Sequence, residues 1–182
     1  MAQHYFIGIT AADSASELAE KFRAKYLLKE KYKVLPHKDD LHITMRYIGE
    51  MNQKSAEMLI SSLHKIASDH PCFSTSLTGL EFFGSSTGPR VVYLSVKKVN
   101  AMCNLQRQIA RRTEKILDLE KDTRFVPHVT IAKKRKTADK MQLVKEEIIP
   151  IPIHINGFTL FKINPNVIPS YESIEYFPLK KS

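Results

Sequence analysis

The sequence predicts an α+β fold: two pseudo-symmetric lobes, each an antiparallel sheet with helices packed outside, around a central groove. Three observations lead there. Short alternating segments and amphipathic stretches follow one another in a rough internal duplication: strand, helix, strand, helix, two strands, then helix, strand, helix, two strands. A His-x-Thr triplet occurs once in each half, in Leu41-His42-Ile43-Thr44-Met45 and Pro127-His128-Val129-Thr130-Ile131. No Gly/Ser/Pro-rich linker divides the halves, so residues 1–182 are read as one two-lobed unit.

The elements follow from local pattern. Residues 4–10 alternate as a strand, with Tyr5, Ile7 and Ile9 on one face and Phe6 and Gly8 on the other. Ser14-Ala15-Ser16-Glu17 matches a capping box and opens a helix whose Leu18, Phe22 and Tyr26 recur at helical spacing. Residues 33–40, containing Pro36, read as a loop delivering the first motif strand, 41–48, which Gly49 ends. Residues 53–68 form an amphipathic helix with Ala56, Leu59, Ile60, Leu63 and Ile66 as its stripe, stopped by Pro71. Residues 73–83 and 90–96 are strands joined by the turn-rich Gly84-Ser85-Ser86-Thr87-Gly88-Pro89. The third and longest helix spans 99–117, and the second motif strand 124–133. After it come a fourth helix at 138–148, a long strand at 151–163 and a closing strand at 173–179.

Composition narrows the function classes. Hydrophobic residues at 43% and charged residues at 26% describe an ordinary globular chain, without the bias of extensive disorder. No apolar run is long enough to cross a bilayer, and the first ten residues lack the basic, apolar and cleavage segments of a signal peptide. The expected compartment is therefore the cytoplasm, with no membrane partner. Cys72 and Cys103 form neither a disulfide framework nor a zinc pattern, and read as small buried hydrophobes. The 28 basic against 19 acidic side chains, net +9, favour a polyanionic partner, nucleic acid first. Part of that charge, Lys133-Lys134-Arg135-Lys136, directly follows the second triplet and would stand at one mouth of the groove or form a solvated loop.

Alternation puts the His and Thr of each triplet on one face of its strand and the apolar neighbours on the other. Seven His and ten Thr give about 0.4 such triplets by chance, and the other five histidines have no Thr two residues on. Two imidazoles and two hydroxyls facing one cleft can move a phosphoryl ester by paired acid and base catalysis, without metal or cofactor. The competing reading is two histidines satisfied by hydrogen bonds on half-buried strands. Arg46 shares the face of His42 and Thr44 and could reach phosphate. Phe6 could stack a terminal base, or simply fill the core.

Residues 41–50, Leu41-His42-Ile43-Thr44-Met45-Arg46-Tyr47-Ile48-Gly49-Glu50, resemble the first signature of the RNA 2',3'-cyclic phosphodiesterases, also called 2'-5' RNA ligases, of the two-histidine phosphoesterase superfamily. Phe125-Val126-Pro127-His128-Val129-Thr130-Ile131-Ala132-Lys133 resembles the second, and the likeness extends to the opening strand, to Gly88-Pro89-Arg90-Val91-Val92-Tyr93 and to the closing segment 171–179. The chain departs at Lys133, where the family commonly has Arg, keeping the charge but losing the bidentate fork, and at His4, where the family often has Arg. The resemblance implies hydrolysis of a terminal RNA 2',3'-cyclic phosphate to a 2'-phosphomonoester by a monomer, with a slow reverse reaction forming a 2'-5' linkage and with no cofactor and no metal. It casts His42 as proton donor to O3' and His128 as the base that activates water, with Thr44, Thr130 and Lys133 on the phosphate. The residues alone leave the two histidine roles exchangeable. They also leave open action on another small cyclic phosphate or on 2'-5' linked oligonucleotides, and a non-catalytic module binding RNA ends.

Overall fold

The computed structural model describes residues 2–181. Its strands are β1 (His4–Thr10), β2 (Tyr32–Val34), β3 (His42–Gly49), β4 (Phe73–Ser85), β5 (Gly88–Val96), β6 (His128–Arg135), β7 (Glu146–Ile155), β8 (Gly157–Ile163) and β9 (Tyr171–Pro178). Its α-helices are α1 (Ala12–Lys25), the single turn α2 (Leu28–Lys31), α3 (Gln53–Asp69) and α4 (Asn100–Leu117). The strands run in the order β7-β4-β5-β6-β3-β1-β8-β9, with β2 also on β6, and each pairing is antiparallel.

This order divides into two halves of four strands, β7-β4-β5-β6 and β3-β1-β8-β9. Among the described residues their strands pair with each other only at Ile43↔Val129, and an isolated bridge, Pro71↔Lys180, ties the entry to β4 to the exit from β9. Each half carries one motif strand at the seam, but the halves are interleaved in sequence. One lobe is built from both ends of the chain, the other mainly from its middle. The helices cross over as well: α1 follows β1 yet packs on β4, β6 and β7 of the opposite lobe, while α4 follows β5 yet packs on β3, with α3 against α4 and β9.

One face of the sheet takes the apolar residues. Ile43, Met45 and Ile48 of β3 and Val129, Ile131 and Ala132 of β6 are buried with Leu59 and Leu63 of α3 and Leu105 and Ile109 of α4 in one continuous core. His42, Thr44, His128 and Thr130 alternate onto the other face and stay half-buried.

Five sequence expectations change. Helix α1 begins at Ala12, and its N-cap Ala11 makes no side-chain cap bond. The capping box does not form, because Ser14 already lies within the helix rather than at its cap, and its Oγ donates to the Pro152 carbonyl at 3.4 Å. No helix covers 138–148. Met141 and Leu143 bury at a spacing of two, as in extended chain, and their amides donate to the Thr87 and Ser86 carbonyls at 2.9 and 3.1 Å, after which β7 starts. The long strand 151–163 is two strands: the chain leaves β7 at one edge of the sheet and re-enters as β8 in the other lobe. Finally, β6 starts at His128 rather than 124, because Pro127 has no N–H to give a ladder. Within the expected loop at 33–40 lie the end of β2 and a 3₁₀ turn, Lys38–Asp40.

Candidate active site

Both motif histidines are fixed in the same way. The His42 Nδ1–H donates to the carbonyl of Asp40 at 2.7 Å, and the His128 Nδ1–H to the carbonyl of Val126 at 2.7 Å. A carbonyl only accepts, so each Nδ1 must carry the proton, and each Nε2 is left for chemistry. At His42 the Thr44 hydroxyl donates to the neutral Nε2 at 2.9 Å.

The Ile43↔Val129 pair sets the two motifs head to tail. It places His42 beside the Thr130 position and Thr44 beside His128 on the shared face. A cleft of about 310 Å³ opens there, with Thr44, Arg46, Phe83, Arg124, Phe125 and His128 among its walls.

Lys133 reaches this face through a bulge. Strict alternation from His128 would send it to the core side. However, β5 and β6 shift register between Tyr93↔Thr130 and Val92↔Ala132, so that Ile131 and Ala132 are both buried and Lys133 returns to the side of the histidines. Its charge is felt at His42. Burial, and then the Lys133 charge among the weaker contributions, push the His42 imidazole down to about 4, although the bond to the Asp40 carbonyl works the other way. Burial also lowers His128, against the upward pull of its bond to the Val126 carbonyl. Lys133 itself is lowered, by burial and by neighbouring Lys134.

Aromatic rings brace each imidazole. Phe6 lies 4.6 Å and Tyr171 5.1 Å from the His42 ring centroid, while Tyr93 lies 5.0 Å and Phe83 5.1 Å from that of His128. The Tyr93 hydroxyl donates to Glu81 at 3.2 Å, and burial with the Glu81 charge pushes its phenol up to about 12, so it stays neutral. Asp40, 4% exposed, contributes its side chain as well as its carbonyl. The carboxylate accepts the amides of Ser170 at 2.7 Å and Tyr171 at 3.1 Å, seating the Tyr171 ring edge-on against His42.

Two of the candidate residues sit differently from expectation. Phe6 is 3% exposed, wedged between His42 and the stacked Phe161 ring at 5.1 Å, so it has no free face for a base and serves to support His42. Arg46 lies on the expected face, but its guanidinium is engaged: Nη2 donates to the Glu120 carbonyl at 2.6 Å, and Nη1 stands 3.5 Å from Asp122 and 3.9 Å from Glu114. Of the basic run after Lys133, Lys134 is exposed, Arg135 donates to the Asp139 carbonyl, and Lys136 Nζ donates to the Lys29 carbonyl at 2.9 Å.

Sequence reasoning missed Asp40, Tyr93, Phe83 and Tyr171, which come from four separate segments. It also left unused the signal at Gly8. A Cβ there would stand 3.0 Å from Phe6 Cε2, 3.1 Å from the Ile43 carbonyl oxygen and 3.3 Å from His42 Cδ2, so only glycine leaves the imidazole its room.

Among the described residues, no group of three or more His, Cys, Asp or Glu side chains is placed to hold a metal ion, and no helix is long and apolar enough to cross a membrane. Both cysteines are free thiols.

Two antiparallel half-sheets thus meet at the paired histidine strands in one α+β sheet architecture. The chain belongs to the 2'-5' RNA ligase superfamily, whose family model matches residues 11–166. Among curated proteins it is 29% identical to an RNA 2',3'-cyclic phosphodiesterase of Geobacillus stearothermophilus, covering 97% of this chain but only 57% of that protein's length. It is 28% identical to the RNA 2',3'-cyclic phosphodiesterase of Bacillus subtilis (strain 168), covering 97% and 96% of the two chains. Among solved structures, TT0787 of Thermus thermophilus superposes with a TM-score of 0.83 at 19% identity over 98% of this chain and 99% of that one. LigT of E. coli, in its complex with 3'-AMP, superposes at 0.79 with 20% identity over 98% and 99%. At these identities the superpositions speak for the fold.

Proposed function

We propose that this protein hydrolyses the 2',3'-cyclic phosphate at an RNA end to a 2'-phosphomonoester, using His42 and His128 as acid and base. The observation that carries this reading is the mirrored tethering of the two rings. Each Nδ1 is spent on a backbone carbonyl, so both Nε2 atoms are left for chemistry on one face of the sheet, which the motif threonines and Lys133 share. The relatives bearing the name RNA 2',3'-cyclic phosphodiesterase support the choice of substrate, and the net charge of +9 suits a polyanion.

In this reaction water attacks phosphorus while the bond to O3' breaks. The Nε2 of His128 takes the proton of the attacking water, and the Nε2–H of His42 gives one to the departing O3', leaving a 2'-phosphate and a free 3'-hydroxyl. The division of parts between the two histidines follows the likeness to the family signatures. Thr44, Thr130 and Lys133 stabilise the nonbridging oxygens as charge builds on them.

His42 is neutral in the unliganded protein near pH 7, since burial holds it at about 4. The proton that it donates must therefore be taken up as substrate binds. An anionic phosphodiester placed against Nε2 raises the imidazole's proton affinity, and the Thr44 hydroxyl that now faces Nε2 is freed to turn to a phosphate oxygen. Lys133 opposes that protonation when free and ceases to do so once its charge is matched by the phosphate.

The test is incubation of the purified protein, in excess EDTA, with an oligonucleotide ending in a 2',3'-cyclic phosphate, followed by identification of the product end. Conversion to the 2'-phosphate is expected. A 3'-phosphate product, or activity lost in EDTA and restored by a divalent ion, would overturn the mechanism.

A further inference from the structure

The backbone carbonyl that holds His128 belongs to a segment with little support of its own. Residues 119–127, between α4 and β6, form neither helix nor strand. Their placement depends instead on attachments made by side chains. Gln106 Nε2 donates to Asp122 Oδ2 at 2.9 Å, the Asp122 amide to Glu114 Oε1 at 2.8 Å, and Lys98 Nζ to the Phe125 carbonyl at 2.8 Å. All three bring partners from α4 or the segment just before it. A further attachment comes from β3 itself: Arg46, two residues beyond Thr44, reaches the Glu120 carbonyl and the Asp122 carboxylate.

We infer that Arg46 is a positioning residue that sets His128 against His42 by clamping residues 120–122 to the strand carrying His42. Three points support this. The lobes share a single backbone pair at the site, which fixes the two strands at a point and leaves their mutual angle to side chains. The Arg46 side chain is only 11% exposed and has two carboxylates within 4 Å, so its charge is already matched and largely shielded from water. Its Nε is buried without a partner, out of a substrate's reach. The His42 side has a counterpart in Asp40, whose carboxylate pins residues 170–171 while its own carbonyl holds the ring. A planar fork of donors is what such a clamp requires, and an ammonium at the same place would reach one acceptor at a time.

The inference rests on the two-histidine reaction proposed above, and the experiment keeps the two separable. Arg46→Ala and the milder Arg46→Lys are compared with the unmodified protein in turnover of the cyclic-phosphate oligonucleotide and in the ¹⁵N spectrum of the histidine rings without substrate. Misplacement of one reacting group by about 1 Å lowers turnover by up to about 100-fold. A fall in kcat of about ten- to a hundredfold with little change in KM is therefore expected, partly reversed in Arg46→Ala by millimolar guanidinium. The hydrogen-bonded Nδ1–H signature of His128 is expected to weaken while that of His42 holds. A salt-dependent rise in KM at unchanged kcat would overturn the inference in favour of phosphate binding. A lower melting temperature with unchanged kcat and ring spectra would reduce Arg46 to a structural ion pair. If the unmodified protein fails to open the cyclic phosphate, the function reading falls, and the ring spectra of the two variants alone decide the role of Arg46.

Discussion

Replacing His42 by Asn removes a titrating group while keeping an N–H close to the place of Nδ1, so that the bond to the Asp40 carbonyl survives. In the unfolded chain this imidazole titrates near 6.5, and in the folded protein burial holds it at about 4. The folded state therefore refuses a proton that the unfolded state accepts throughout that window. Stability from this source is whole above pH 6.5, falls as the pH drops from 6.5 to 4, and levels off below. At about 1.4 kcal/mol per pH unit the full loss is about 3.5 kcal/mol, and the ring's partial contact with water trims it to about 2–3 kcal/mol. Urea unfolding of both proteins from pH 7.5 to 3.5 gives the assay. The unfolding free energy of the original chain minus that of the variant is expected to decline by that amount between pH 6.5 and 4, while the contribution of His128, present in both, cancels. A difference that stays flat, or that grows as the pH falls, would refute the neutral, desolvated imidazole on which the proposed proton uptake depends.

Other outcomes are open to direct measurement. His42→Ala and His128→Ala should each lower turnover of the cyclic phosphate by about 100-fold or more, and the double variant should be little worse than the poorer single one, because both groups serve one step; additive losses would separate their roles. Gly8→Ala should lower kcat while leaving the fold intact by circular dichroism, since the added methyl meets Phe6 and the His42 ring, and unchanged kinetics would show that the ring has slack. Lys134→Gln, at an exposed position beside Lys133, should raise KM for an oligonucleotide and flatten its salt dependence, yet spare a cyclic mononucleotide, which lacks flanking phosphates. Equal losses on both substrates would place its effect in the site itself.

The strands bearing His42 and His128 were legible because polar and apolar residues alternate through both triplets, and a half-buried strand leaves that period in any sequence. The position of Lys133 was not legible. Its side of the sheet depends on the bulge at Ile131-Ala132, which is set by pairing with β5 rather than by any local residue preference. The segment at 138–148 misled for a related reason: Met141, Leu143, Val144 and Ile148 fit a helix about as well as they fit extended chain. The acceptors on the Ser86-Thr87 turn, distant in sequence, decide between them. Arg46 was placed on the correct face by alternation, but its acidic partners lie beyond residue 113, and nothing near it in the chain announces them. The same holds for Asp40, whose acceptor role is met only at residues 170 and 171.

The crossing of α1 and α4 between lobes bears on how the molecule can be divided. Each lobe takes a covering helix that the chain enters directly from a strand of the other, so neither sheet can bury its apolar face with neighbouring sequence alone. A chain severed at the tip of the β4–β5 hairpin would give one piece bearing His42 and one bearing His128. Each piece would be left with exposed core and half of the chemistry, so structure and activity should return together only on mixing.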